Sequence, residues 1–279
     1  MLMNADQPGR IERALGRLPE GSFLKLSLFA VLTAAVTMIG LDVKSVYEAD
    51  RGFQPGSHRT TPLIMDPPGR KDHLRPYLPK SMPRRRGGGG GTIALPGYDN
   101  PPGPKELSGR MTFRLAAKGR AAGVGRIEPG TSGEFERFLA ANPGKVRTLV
   151  LHSPGGAVND ALEMARLIRQ SKLATNVPDN AYCASSCPLV FAGGSRRLAG
   201  RHAWIGVHQV YATPSAIGSL HDGMAEAQSI SALCQSLLSE MGVDPKVWVH
   251  AMSTSKNKLY VFTPEELTKY KLATKLGRN

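Results

Sequence analysis

Hydrophobic and polar positions follow three different patterns along the 279-residue chain. Residues 23–43 are almost continuously apolar, and Lys25 is the only charged side chain among them before Asp42. Residues 44–107 show no hydrophobic period and are rich in proline, glycine and arginine. From about residue 108, strand-like and helix-like periods follow one another. The pattern predicts an N-terminal segment over 1–22, a membrane span over 23–43, a disordered linker over 44–107 and a folded domain over 108–279.

The folded region alternates predicted strands with predicted helices. Strands are predicted over 111–119, 145–153 and 203–210, with a short one inside 174–183, and helices over 132–142, 157–170, 185–194, 224–242, 244–253 and 263–273. Ser132, Asp244 and Thr263 stand where a helix N-cap is expected. Strands that alternate with helices in this way are typical of an α/β domain.

The apolar segment is long enough to cross a membrane. The sixteen residues 26–41 carry no charge, and as a helix they would extend about 24 Å. Three arginines precede them at positions 10, 13 and 17, so we expect residues 1–22 to stay in the cytoplasm. An uncleaved anchor is favoured over a cleaved signal peptide because no good small-x-small cleavage site follows. A buried helix of a soluble domain is the other alternative, and the next sixty residues offer it nothing to pack against.

Composition narrows the classes of partner. The net charge of +14 is compatible with a nucleic acid or an anionic membrane surface as a binding partner. The basic residues are scattered, however, and the arginines at 84–86 form the only run. Phosphate recognition needs a clustered footprint, so we expect no nucleic-acid partner. No sequence feature points to a cofactor.

Three segments carry residues suited to acyl-transfer chemistry. The turn Ser-Pro-Gly-Gly follows a strand, and Gly155 and Gly156 allow backbone N–H groups to point at an oxyanion. A serine pair, Ser185 and Ser186, opens a small-residue helix whose N-terminal partial charge favours an anion. His208 stands near the end of an apolar strand, a rigid place for a general base. Taken singly, each has a structural alternative: a tight turn, a helix cap at Ser185 and a core histidine.

The order of these segments resembles a known family. Strand–SPGG–helix, then Ala-Ser near a helix start with Gly-Gly about nine residues on, then Arg-Leu-x(9)-His-Gln, resembles the proteolytic subunit of the Clp protease and the wider ClpP/crotonase superfamily. The Cys-Ala-Ser-x-Cys segment is closest to bacterial membrane-anchored or periplasmic ClpP-like proteins. The resemblance covers 145–275 well and 110–145 loosely. It implies a repeated ββα spiral fold.

The resemblance also implies residue roles. The family's nucleophile falls on Ser185, its base on His208, and its oxyanion donors on the turn of Gly155 and Gly156 and on the N–H of Ser186. Assigning the nucleophile to Ser186 instead would lose the match to the Ala-Ser step and to the Gly pair that follows.

The third member of the family's triad is missing from this sequence. The position where the family has an aspartate holds Lys258, and no carboxylate lies between positions 244 and 265. Asn257 is a candidate third member, and Ser255 is an alternative, because a neutral partner can still hold an imidazole tautomer. Lys258 itself invites a Ser–Lys mechanism as the alternative.

Two of the three cysteines, Cys183 and Cys187, flank the serine pair. On a continuous helix their Cα atoms would be about 6 Å apart, which a disulfide can bridge, and a periplasmic location would allow the bond. Zinc bound by these cysteines with His202 and His208 is the alternative, but two histidines six residues apart on a strand lie too far apart to share a metal. We therefore expect no metal site. Cys234 falls on the apolar face of a predicted helix, as an ordinary buried thiol does.

The combined expectation is a membrane-tethered periplasmic serine hydrolase of peptidase type. Residues 23–43 would anchor it in the inner membrane, and its substrate would be a peptide or protein. The resemblance also implies a homo-oligomer. The alternative is an inactive ClpP-fold scaffold for protein assembly, which the missing acid favours. An acyl-CoA enzyme of the crotonase branch is the weakest reading, since a periplasmic domain would have no access to CoA.

Overall fold

The computed structural model of the chain describes residue 19 and residues 21–52, 62–86, 93–210 and 220–277. Most of the predicted N-terminal segment 1–22 and the glycine tract at 87–91 lie outside these ranges. The chain divides into two units, residues 1–54 and residues 55–279. Among the described residues, the first unit holds one helix and the second holds the α/β domain.

The N-terminal unit is built on helix α1 (Ser22–Gly52). Its segment Leu24–Leu41 is long and apolar enough to cross a membrane, and none of that segment is buried by the protein. The hydroxyls of Thr33 and Thr37 each donate to the carbonyl four residues earlier at 2.7 Å. These polar groups are therefore satisfied within the helix, as an apolar solvent requires.

The domain contains twelve strands and seven further α-helices in its described residues. The strands are β1 (Leu63–Met65), β2 (Leu74–Pro76), β3 (Pro83–Arg85), β4 (Thr112–Ala116), β5 (Arg120–Val124), β6 (Thr148–His152), β7 (Ala174–Val177), β8 (Tyr182–Ala184), β9 (Arg197–Ala199), β10 (Trp204–Val207), β11 (Lys258–Val261) and β12 (Lys275–Leu276). The helices are α2 (Pro104–Ser108), α3 (Thr131–Ala140), α4 (Val158–Gln170), α5 (Cys187–Ala192), α6 (Leu220–Glu240), α7 (Lys246–Met252) and α8 (Pro264–Lys269).

Two main sheets organise the domain. The larger has the order β12-β9-β7-β6-β5-β4, and its strands run parallel except for the antiparallel pair β4–β5. The smaller has the order β2-β11-β10-β8, with β8 and β10 parallel. The chain alternates between them: β7 and β9 join the larger sheet, β8 and β10 the smaller, and α5 and α6 follow. Strands β1 and β3 form a separate parallel pair.

Local sequence explains most of these elements. Strand β6 has three apolar residues at its centre and is buried from residue 149 to residue 152, as is typical of a strand in a mostly parallel sheet. Helix α4 buries the side chains that recur every three or four residues along it, namely Ala161, Leu162, Met164, Ala165 and Ile168. The mixed α/β architecture predicted from the sequence is confirmed.

The three predicted helix caps can be compared with the structure. Helix α7 begins at Lys246 with Pro245 as its N-cap, one residue after the predicted Asp244. Thr263 caps α8 in a reciprocal capping box with Glu266, as predicted. Helix α3 begins one residue earlier than predicted, with Gly130 as its N-cap. The hydroxyl of Ser132 does not cap α3, because it donates to the Asp160 carboxylate of α4 at 2.9 Å.

The structure corrects the predicted disordered linker over 44–107. Helix α1 continues to Gly52, and residues 62–86 contribute three strands to the domain unit. Strand β2 pairs antiparallel with β11, and Leu78 is 3% exposed within an apolar cluster that contains Tyr182, Trp204 and Leu259. These strands are three residues long, which is too short to give a hydrophobic period in the sequence.

Polar contacts fasten the same segment. The Arg75 guanidinium donates to four backbone carbonyls of the surrounding loop, those of Asp66, Pro67, Asp72 and Leu74. The His73 ring stacks on Tyr260 of β11 at 4.5 Å between centroids. The first set of contacts orders the loop, and the second joins it to a strand. Together they fix residues 66–78 against the smaller sheet.

Two leucines four residues apart test this packing. We expect Leu78→Ala to lower the free energy of unfolding by about 2–4 kcal/mol, because it empties a buried site. Leu74→Ala, at a position 46% exposed, should cost about 0.5 kcal/mol or less. Urea unfolding of the two variants measures the difference, and equal small losses would mean that the segment does not pack on the domain.

Candidate active site

Two strand-to-helix turns meet at the centre of the domain. The first follows β6 and contains Gly155 and Gly156, and the second follows β8 and contains Ser185 and Ser186. The Ser153 N–H donates to the Tyr182 carbonyl at 2.7 Å, and the Ala184 N–H donates back to the Ser153 carbonyl at 3.1 Å. The backbone of each turn therefore fixes the position of the other.

Ser185 stands at the tip of the second turn in a left-handed conformation. Its φ is +62°, a region that non-glycine residues enter only when their surroundings determine it. Its N–H donates to the Gly206 carbonyl of β10 at 3.0 Å. In a turn of this kind, between a strand and a helix, the serine hydroxyl projects away from both elements.

The glycine turn approaches the serine turn so closely that no side chain fits between them. A Cβ on Gly155 would collide with the Ala184 carbonyl, and it would stand 2.6 Å from the Ser185 Cβ and 2.8 Å from the Ser186 nitrogen. A Cβ on Gly156 would collide with the Ile127 carbonyl. Both residues also have positive φ, of 89° and 148°. Both positions therefore require glycine.

The three predicted oxyanion donors differ in what they bond. The Gly155 N–H donates to the Ser153 hydroxyl inside its own turn at 3.1 Å. The Gly156 N–H donates to the Ser186 hydroxyl at 2.8 Å. The N–H of Ser186, a residue 2% exposed, has no acceptor among the described residues. Buried N–H groups are rarely left so, which makes the Ser186 N–H the best placed donor of the three.

His208 follows β10 directly and is 3% exposed. Burial lowers its pKa to about 4, because the charged imidazolium is poorly solvated there. The imidazole is therefore neutral at pH 7 and able to accept a proton. The ring of Tyr77 packs against it with 4.4 Å between centroids and an angle of 36° between planes.

Ser185 and His208 line the same cavity, together with Gly156 and Ser186. Its volume is about 780 Å³, within the range of natural ligand sites. Charged and polar walls come from Arg126, Glu128, Asp160 and Glu226, and apolar ones from Ile127, Val158, Val210, Ile230 and Trp248. The cavity is large enough for several residues of a peptide.

The structure does not bring Asn257 or Lys258 into this cavity. Both side chains are exposed, and neither residue lines the cavity wall. The Asn257 backbone carbonyl instead accepts a hydrogen bond from the Tyr77 N–H at 3.1 Å. Sequence reasoning missed Tyr77 because it lies in the segment that was predicted to be disordered. The one available signal was the aromatic-aliphatic pair Tyr77 and Leu78 in a proline-rich stretch.

A disulfide joins Cys183 and Cys187, with 5.2 Å between their Cα atoms. The bond encloses Ser185 and Ser186 in a short ring, and both cysteines are fully buried. Since each sulfur is bonded to the other, neither is available as a thiolate for zinc. Within the parts of the chain that the structure describes, no three potential metal-binding side chains cluster.

Comparisons with known proteins find three similar solved structures. No family model matches the chain, and no curated protein sequence matches it. A mutant of the 1510-N membrane-bound stomatin-specific protease is similar over 57% of this chain and 78% of its own, with 22% identity and a TM-score of 0.45. A second mutant of that protease, in complex with a substrate peptide, is similar over 57% of this chain and 74% of its own, with 22% identity and a TM-score of 0.43. A mutant of ClpP1 from Listeria monocytogenes covers 58% of this chain and 92% of its own, with 15% identity and a TM-score of 0.46.

Two glycines with the same φ angle allow the close contact between the turns to be tested. Gly155 and Gly130 share a φ of +89°, but a Cβ on Gly130 would meet open space. We expect Gly130→Ala to destabilise by about 1 kcal/mol from backbone strain alone. Gly155→Ala adds a steric clash and should cost about 2 kcal/mol more. Urea unfolding compares the two, and equal losses would mean that the turns can separate.

A second buried histidine gives a pH-dependent prediction. His152 is fully buried, its Nδ1 accepts from the Tyr182 N–H at 3.0 Å, and burial lowers its pKa to about 4. Between pH 6.5 and 4 the unfolded chain takes up a proton that folded His152 refuses, so the free energy of unfolding falls as pH falls. His152→Asn, which keeps an acceptor, should reduce this slope by about 1.4 kcal/mol per pH unit. Unfolding curves at several pH values measure it, and an unchanged slope would contradict the assignment.

Proposed function

We propose that the domain is a serine hydrolase of peptidase type that uses Ser185 as nucleophile and His208 as base. The observation that carries the proposal is the buried Ser186 N–H without an acceptor, directly after a serine in a left-handed turn. An oxyanion hole needs such a donor beside the nucleophile. The neutral, buried imidazole on the wall of the same cavity supports it.

The chemistry follows the acyl-enzyme route. The Ser185 oxygen forms a bond to the substrate carbonyl carbon while its proton passes to His208. The C–N bond of the tetrahedral intermediate then breaks, and the imidazolium returns the proton to the leaving amine. Water, deprotonated by His208, attacks the resulting ester and releases the acid and free Ser185.

Stabilising the oxyanion requires one local rearrangement. The Gly156 N–H is bonded to the Ser186 hydroxyl, which a substrate carbonyl oxygen would have to replace. A hydroxyl turns about one side-chain torsion, so the exchange needs no backbone movement. The Ser186 and Gly156 N–H groups would then both face the oxyanion.

We also propose the cellular location of the domain, its detailed fold and its assembly. The apolar length of α1 supports an inner-membrane anchor at 23–43, with the domain in the periplasm, and the disulfide fits an oxidising compartment. The alternation of β7–β8–α5 and β9–β10–α6 between sheets supports a ββα spiral. A peptide substrate fits the cavity, and homo-oligomerisation remains a proposal from the resemblance.

One observation favours a scaffold without activity as the second candidate. Neither Asn257 nor Lys258, the residues at the position of the family's acid, reaches the cavity. The family's acid stabilises the imidazolium of the base, and the residues at its position in this chain do not supply that stabilisation. If the domain is an inactive scaffold, Ser185→Ala and His208→Ala should leave the biological role of the chain unchanged.

Neighbouring serines provide the test. A fluorophosphonate probe should label the wild-type chain at Ser185, and Ser185→Ala should abolish labelling. Ser186→Ala keeps the backbone N–H and frees the Gly156 N–H, so its labelling should equal or exceed that of wild type. Peptide mapping by mass spectrometry locates the modified residue. Labelling that survives Ser185→Ala but not Ser186→Ala would reverse the assignment, and an unlabelled wild type would favour the scaffold.

A further inference from the structure

Basic side chains collect at the edge of the larger sheet where its central strands begin. Three loops enter neighbouring parallel strands there: residues 117–119 lead into β5, residues 141–147 into β6 and residues 171–173 into β7. These loops and the first residue of β5 carry no aspartate or glutamate, and their cations are Lys118, Arg120, Lys145, Arg147 and Lys172. The fold therefore brings together positive charges that are scattered along the sequence.

An open cavity of about 580 Å³ lies between the first two of these loops. Its charged walls are Lys118, Lys145 and Arg147, and none of the described residues that line it is acidic. The other lining residues are Leu115, Ala116, Gly119 and Gly144. A cavity of this size can hold a small ligand, and walls of a single positive sign attract an anion.

The charges at this edge are not neutralised by the protein. None of the five cations forms an ion pair with a carboxylate in the part of the chain that the structure describes. Elsewhere in the domain, by contrast, Arg110 pairs with Glu134 and Arg166 pairs with Glu163. Like charges around one cavity repel one another, and a bound anion would relieve that repulsion.

Contacts between the two loops give the cavity a defined wall. The Arg147 N–H donates to the Gly119 carbonyl at 2.7 Å, which joins the loops through their backbones. A Cβ on Gly119 would stand 2.9 Å from the Arg147 Cγ and 3.1 Å from its Cδ, so the stem of the arginine lies directly on the glycine. This packing holds the guanidinium at the cavity, and a guanidinium can donate two parallel hydrogen bonds to a phosphate.

We propose that this cavity binds a phosphate group, carried either by a soluble phosphate or by the headgroup of an anionic phospholipid. Arg147 supplies the paired donors, Lys118 and Lys145 supply point charges, and Leu115 and Ala116 form an apolar wall beside the phosphate. The five residues of β6, about 16 Å of strand, separate this cavity from the glycine turn at the other end of the strand. The phosphate site is therefore distinct from the candidate active site.

Two exposed lysines with similar φ angles allow the cavity to be tested in the full-length chain in an uncharged detergent. Lys118 lines the cavity and has a φ of 60°, whereas Lys271 has a φ of 55° and does not line it. The cavity variants are Lys118→Gln and Arg147→Gln, and Lys271→Gln is the control that removes one charge elsewhere. The probes are inorganic phosphate and dihexanoyl phosphatidylglycerol, with dihexanoyl phosphatidylcholine as the lipid of zero net charge. The measurement is the rise in unfolding temperature with probe concentration at constant ionic strength, which gives a dissociation constant.

We expect wild type and Lys271→Gln to bind inorganic phosphate with dissociation constants within about twofold of each other. Lys118→Gln and Arg147→Gln should each weaken binding about tenfold, because each removes one charge-assisted hydrogen bond. Without a probe, all three variants should unfold close to the wild-type temperature, since the substituted side chains are exposed. If one cavity variant does not fold, the other decides by the same criterion.

The two phosphate probes distinguish the source of the ligand. Phosphatidylglycerol that binds at least tenfold more tightly than inorganic phosphate and than phosphatidylcholine, with the same loss in the cavity variants, indicates a lipid headgroup. Equal or weaker binding of the lipid indicates a soluble phosphate. The proposal is overturned if neither probe stabilises wild type more than it stabilises Lys118→Gln and Arg147→Gln, or if Lys271→Gln loses as much affinity as they do. Tighter binding of a short DNA oligonucleotide than of both phosphate probes would also overturn it.

Discussion

The contact between two backbone turns governs the arrangement of the domain's centre. Where the turn after β6 meets the turn after β8, peptide groups touch with no side chain between them, and hydrogen bonds run both ways between Ser153 and β8. Glycine is required at positions 155 and 156 for this reason. The same contact places the strained Ser185 beside β10, and it links the larger sheet to the smaller one. The conformation of each turn depends on the other being present.

Neutral groups dominate the interior of the site, and charges stay at its walls. His152 and His208 are both buried, and burial lowers the pKa of each to about 4, so both are uncharged at pH 7. Glu128 and Glu226 belong to the cavity wall. A buried carboxylate beside His208 would carry a large desolvation cost. The ring of Tyr77, which packs against the base, carries no such cost.

The parts of the fold with strong local signals were predictable from the sequence. The apolar centre of β6, the stripe of α4 and the N-cap at Thr263 each follow from periodicity or cap chemistry and were predicted correctly. Ser185 and His208 were selected by resemblance, since neither is distinctive alone. The strands of 62–86 escaped prediction because three-residue strands leave no period, and their stability comes from contacts distant in sequence. The Ser186 hydroxyl bonded to Gly156 depends on a side-chain torsion, which no sequence pattern encodes.

The disulfide around the serine turn has a consequence for the third cysteine. Cys234 is fully buried in α6, and burial raises its pKa to about 12. Thiol–disulfide exchange needs a thiolate with access to a sulfur atom, and Cys234 is neither ionised nor exposed. The odd cysteine therefore cannot attack the bond between Cys183 and Cys187 in the folded chain. Once the ring has closed around Ser185, only an outside reductant or unfolding can open it.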